Sequence, residues 1–131
     1  MPARAHGTFN VKLNPLPAND GSPVARMSID KEFQGELTGS SKGEMLTIGT
    51  ATKGSAVYVA IEHVTGTLAG KTGSFSMHHT GVMNRGAASL TITVVPDSGT
   101  GELVGLTGTL DILIEGGQHS YDFDYNLPTA S

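Results

Sequence analysis

"QHSYDFDY", residues 118–125, alternates rings with small or acidic side chains: His119, Tyr121, Phe123 and Tyr125 against Ser120, Asp122 and Asp124. Successive side chains of a β-strand point to opposite faces, so one face of this segment is aromatic and the other acidic. The aspartates belong in water, which turns the rings inward. A core built only to exclude water uses Val, Ile and Leu. An imidazole and two phenols need polar partners, so this face points to an interior that positions something.

Period-two alternation recurs along the whole chain, and helical periodicity is hard to find. Strands are expected near 7–13, 25–37, 44–51, 56–65, 74–82, 88–95, 103–114 and 118–126, with many of the 18 glycines falling between the runs. About eight short strands at close spacing read as an antiparallel sandwich or barrel. An even number of sequential strands can close on itself and leave no exposed edge, which favours the barrel. The expected fold is therefore all-β, a single antiparallel up-and-down barrel of about eight strands over residues 1–131. "NPLPANDGSP" (14–23) reads as a loop and "LPTAS" (127–131) as a loose tail.

The 131 residues carry a formal net charge of -4 and only 15% charged residues, which argues against a nucleic-acid binder. The absence of cysteine excludes disulfides, thiol catalysis and cysteine metal sites. The start "MPARAHGTFNVKL" has no apolar export segment and no run reaches membrane-spanning length, so a cytoplasmic protein with no membrane partner is expected.

"GTLAGKTGSF" (66–75) and "GELVGLTGTL" (101–110) share the frame G-x-L-x-G-x-T-G-x-apolar, and "GELTGSSKGEML" from Gly35 approaches it. The frame reads as a recurring strand-turn-strand device. "GTLAGKTG" is not a phosphate loop: Thr65 stands where the upstream glycine is required, and a strand rather than a helix follows. In "SFSMHHTG", His78 and His79 point to opposite faces and cannot chelate one ion locally. His79 shares its face with Phe75 and Met77. A metal site of His79, His119 and Glu62 is not required by any spacing, and neither metal nor cofactor is expected.

Two further strands carry charge in informative places. In "RMSIDKEFQGEL", Met27, Ile29, Phe33 and Leu37 alternate with an acidic stripe that reads as a solvated wall. Lys31 breaks the apolar face and either snorkels or enters a wet lumen. In "SAVYVAIEHVTG", one face holds Ala56, Tyr58, Ala60, Glu62 and Val64, and the other Val57, Val59, Ile61 and His63. Apolarity alone puts the second face inside; the alternative puts Tyr58 and Glu62 in the lumen and the valines against another subunit. The pattern leaves that parity open.

At "GSFSMHHTG", "VVPDSGTGELVGLTG" and "HSYDFDY" the chain resembles a bacterial family of uncharacterised small proteins, grouped by fold with the plant allene oxide cyclases as eight-stranded barrels. The resemblance runs from "GTFNVKL" to "YNLP". It includes a Y-x-x-x-E strand, met by Tyr58 and Glu62, and a histidine after G-S-F, met by His79. It implies a barrel whose lumen is lined by Tyr58, Glu62, His79, His119, Tyr121 and Tyr125. It implies no activity, because one fold hosts many functions.

The expected function is binding of a small, mainly apolar molecule in the lumen, with Tyr58, Met77, His79, His119, Tyr121, Phe123 and Tyr125 as its contacts. The alternatives are an isomerase or cyclase, and a structural or interaction barrel with a filled core. An enzyme would use Glu62 as acid or base, its pKa raised by burial, with His119 or His79 stabilising developing charge and Tyr121 or Tyr58 donating a hydrogen bond. The outward Val57, Val59 and Ile61 lead to the expectation of a homo-oligomer.

Overall fold

The computed structural model describes residues 3–17 and 21–128. The loop read at "NPLPANDGSP" and the tail "LPTAS" fall partly outside them. Eight strands run in chain order: β1 (Ala3–Leu16), β2 (Ala25–Gly35), β3 (Leu37–Gly49), β4 (Ala56–Leu68), β5 (Lys71–Asn84), β6 (Ala87–Val94), β7 (Thr107–Glu115) and β8 (Gln118–Asn126). Each pairs antiparallel with its sequence neighbours, and β1 pairs with β8, so the sheet closes into an up-and-down barrel. The eight-stranded barrel expected from period-two alternation is the fold observed.

β1, β3, β4 and β5 run longer than expected, because backbone pairing continues past the alternating side chains that signal a strand. Two boundaries move for a local reason. The expected strand over 25–37 breaks at Glu36, where Gly35 adopts φ 110° and the chain reverses at once into β3. A side chain on Gly35 would also meet the backbone of Gly7 at 2.7 Å, so both conformation and space require glycine there. Residues 101–103, expected to lead directly into a strand, form a short 3-10 turn instead. The repeated glycine frame thus makes a hairpin between β4 and β5, but a turn into β7 in its second copy.

The up-and-down order places the β2–β3, β4–β5 and β6–β7 connections at one end of the barrel and the other connections at the opposite end. The first end is filled. Phe33, Leu37, Leu68, Phe75, Leu103 and Phe123 pack there with almost no exposure, and Phe75 stacks on Phe123 with centroids 5.9 Å apart. Tyr121 pins this end. Its hydroxyl accepts from the Leu37 N–H at 2.9 Å and lies 3.1 Å and 3.0 Å from the carbonyl oxygens of Gln34 and Leu37, to which it donates.

The parity left open on β4 is decided by burial. Ala60, Glu62 and Val64 are buried and Tyr58 is half-buried, whereas Val57, Val59 and Ile61 are exposed on the outer wall. Glu62 cannot be moved outward without exposing Val64 to water and turning Ile61 into the packed end, because a strand's period fixes all of them together. Lys31 also points into the lumen. Among the described residues, no helix is long and apolar enough to cross a membrane.

Candidate functional site

Midway along the barrel, three elements bring a lysine, a glutamate and a histidine together. β2 supplies Lys31, β4 supplies Glu62 and β5 supplies His79, each from an inward position of its strand. Lys31 Nζ donates to Glu62 Oε2 at 2.8 Å, and His79 Nε2 lies 2.6 Å from the same oxygen. The histidine contact is close, but its N–H is not aligned along it as a hydrogen bond. All three side chains are withdrawn from water: Lys31 is 6%, Glu62 0% and His79 4% exposed.

A buried ion pair survives only if partners replace the lost water. Glu62 Oε2 has Lys31 Nζ as its hydrogen-bond donor with His79 close beside it, and Lys31 Nζ also sits 5.1 Å from the Phe9 ring centroid and 5.9 Å from that of Phe33. Glu62 Oε1 and Ser41 Oγ are buried and accept no hydrogen bond. Burial alone would raise the Glu62 pKa, as the sequence reading expects, but His79 and Lys31 outweigh it and hold the carboxyl at about 2. That corrects the expectation of a raised pKa: Glu62 is an ionised carboxylate at neutral pH. Burial, with a contribution from the Glu62 charge, raises the Tyr58 hydroxyl and keeps it a protonated donor.

Above this cluster, towards the end away from the packed core, lies a cavity of about 240 Å³. Its walls are apolar, from Val11, Leu13, Ile29, Met45, Leu90 and Ile112 among others, and its polar edge is Lys31, Tyr58, His79 and His119. A second hollow of about 400 Å³ shares Met45, Tyr58 and Leu90 with it. Tyr58 stands edge-on to His79 with centroids 6.3 Å apart. A side chain on Gly81 would collide with the Tyr58 ring, so the glycine makes the room this ring occupies.

The residues expected to form the site are divided between the two halves of the barrel. Tyr58, His79 and His119 border the cavity, with His119 against Phe9 at 5.2 Å, and Glu62 lies buried behind Lys31 and His79. Met77, Tyr121 and Phe123 sit in the packed core, and Tyr125 packs against it, 5.4 Å from Phe123. They share the inward face of their strands but lie nearer the filled end, a difference in height that alternation does not encode. Sequence reading left Lys31 out of the site; the signal was a lysine on the apolar parity of Ile29 and Phe33. Among the described residues, no three His, Asp or Glu side chains are grouped to hold a metal ion.

A closed eight-stranded up-and-down β-barrel, half packed and half hollow, with a buried charged cluster between the halves, defines the class of this protein. The chain belongs to the DUF3224 family of proteins of unknown function, whose family model matches residues 5–125. It is similar to a solved structure of a DUF3224 protein of unknown function from Shewanella oneidensis MR-1. The two share 48% identity and a TM-score of 0.93 over 99% of this chain and 100% of that one. No curated protein matches the chain.

Proposed function

We propose that the barrel binds a small, mainly apolar molecule in the hollow half of its lumen, its polar group facing Lys31, Tyr58, His79 and His119. The observation that carries this reading is the contrast between the halves: the same inward faces that fill one end leave about 240 Å³ beside four polar side chains at the other. Apolar walls supply area and the few polar groups supply orientation, the usual division of labour in a ligand pocket. The isomerase alternative asks Glu62 to exchange a proton near neutral pH. A carboxyl held at about 2 is a weak base and no acid there, which favours binding without turnover.

Native mass spectrometry of protein purified gently from its own host is expected to show one small molecule per chain, released unchanged on denaturation. Met45→Trp, which fills the lining shared by both hollows, is expected to weaken binding of the uncharged fluorophore N-phenyl-1-naphthylamine by about tenfold or more, roughly 1.4 kcal/mol. Equal affinity in the folded variant would remove the cavity as the binding site. A bound molecule that changes mass during incubation would overturn binding without turnover.

The outer wall supports a second part of this reading, association with another copy of the chain. Ile48 pairs with Val57 and Leu46 with Val59 across β3 and β4, and Val57 pairs with Val82 of β5, all exposed. This apolar strip is continuous across three strands, and the Arg26–Glu44 ion pair beside it offers both signs of charge to a two-fold copy. Light scattering is expected to give at least twice the 13.5 kDa chain mass, and Val59→Glu is expected to halve it. A monomeric parent protein would end this part of the proposal.

A further inference from the structure

The barrel is closed unevenly. β6 and β7 share one ladder pair, Thr93 with Thr109, whereas each other neighbouring pair of strands is matched over at least the seven residues of the β1–β8 ladder. The cause lies in the connection. Residues 95–106 are too long to act as a hairpin turn, so they do not set a register between the strands they join. They bond to β5 instead: Val95 N–H donates to the Ser76 carbonyl at 2.8 Å and Thr100 N–H to the Ser74 carbonyl at 2.8 Å. Ser98 Oγ and Thr100 Oγ1 accept from the N–H groups of Ser76 and Ser74 at 3.0 Å and 3.1 Å. This loop occupies the lower edge of β5 and leaves β7 held mainly by β8.

Above the Thr93–Thr109 pair, the facing edges of β6 and β7 carry no ladder bonds, and this seam flanks the cavity. Leu90 of β6 and Ile112 and Ile114 of β7 point inward and line it. Leu90 is 42% and Ile114 64% exposed, as Leu13 on the other side of the cavity is at 43%, so this half of the lumen opens to water at its rim. The neighbouring rim is tied by contrast. Gly86 N–H donates to the Gly54 carbonyl at 3.0 Å and Arg85 N–H to Ser55 Oγ at 3.1 Å, joining the β3–β4 and β5–β6 connections.

We propose that the seam between β6 and β7 is the entry and exit path of the cavity, admitting flexible, elongated apolar molecules sideways through the wall. Local opening follows the places with fewest bonds to break, and widening this seam costs one ladder pair at most. Leu90, Ile112 and Ile114 give the passing chain an apolar surface on both sides. The inference rests on the lumen-binding reading above.

The chain has no cysteine, so paired cysteines at Ser89 and Leu113, which flank the seam on its outer side, can be bridged selectively. A short bis-maleimide tolerates a range of spacings, and intact mass reports the bridge. Stopped-flow binding of N-phenyl-1-naphthylamine is expected to slow by about tenfold or more in both directions on bridging, with affinity within about twofold, since a gate changes rates rather than the bound state. The Leu113→Cys single variant capped with the same reagent is expected to bind at the parent rate. Unchanged rates in the bridged protein would overturn the seam as the path while leaving lumen binding intact. No binding by the parent chain would overturn both.

Discussion

Lys31→Met is expected to cost about 3–5 kcal/mol of folding stability, the loss that follows when one partner of a buried ion pair is removed. The mutation leaves Glu62 fully buried with His79 as its remaining neighbour and no aligned hydrogen bond to Oε2. Replacing both charges, in Lys31→Met with Glu62→Leu, is expected to restore most of the loss. Apolar groups of similar volume need no solvation. Urea unfolding of the parent, both single variants and the double variant completes the cycle. A cost below about 1 kcal/mol for Lys31→Met would show that the pair is not sealed from water.

The same cluster sets a pH dependence. Glu62 titrates at 4.5 when unfolded and at about 2 when folded, a difference worth about 3 kcal/mol. Because the folded value is the lower one, this stability is fully present above pH 4.5 and is lost as pH falls towards about 2. Stability measured between pH 6 and pH 2 is expected to fall more steeply in the parent than in the double variant, which lacks the carboxyl. Parallel curves would remove Glu62 as the source.

Phe123→Ala is expected to cost about 3–5 kcal/mol while leaving affinity for N-phenyl-1-naphthylamine unchanged within about twofold. Phe123 is fully buried, stacked on Phe75 and next to Tyr125, so truncation opens a cavity in a region that other rings cannot collapse to fill. The separation of the two effects is the informative part. The sequence makes Phe123 a ligand contact; the structure sets it in the packed end, on the far side of the charged cluster from the hollow. A folded variant whose affinity drops tenfold or more would return Phe123 to the site. Thermal unfolding and fluorescence titration on the same sample read both quantities.

The ring face of "HSYDFDY" was legible as an inward face because Asp122 and Asp124 fix the parity of that strand. The β4 strand was harder. Its outward side carries Val57, Val59 and Ile61 and its inward side carries Glu62, so apolarity by itself points the wrong way. Lys31 explains why the inversion is stable. A carboxylate inside becomes tolerable once a neighbouring strand delivers a cation to the same height, and only strand register can deliver it. The Glu62 pKa reversed direction for the same reason: burial was foreseeable from one strand, its compensation only from three.

What the sequence by itself determined is the set of faces: eight alternating strands, an even number that closes, and rings on the inward side of β8. Alternation is a property of neighbours along the chain, so it survives without knowledge of the fold. What only the tertiary structure decided is height and company along the lumen. Register between strands places Tyr121 and Phe123 in the filled half, His119 and Tyr58 beside the cavity, and Lys31 against Glu62. Register also leaves β6 and β7 joined by one pair, because the 95–106 connection bonds to β5 rather than turning back on itself. Those distances depend on how far each strand slides past the next, and hydrogen bonds between residues remote in sequence fix that slide.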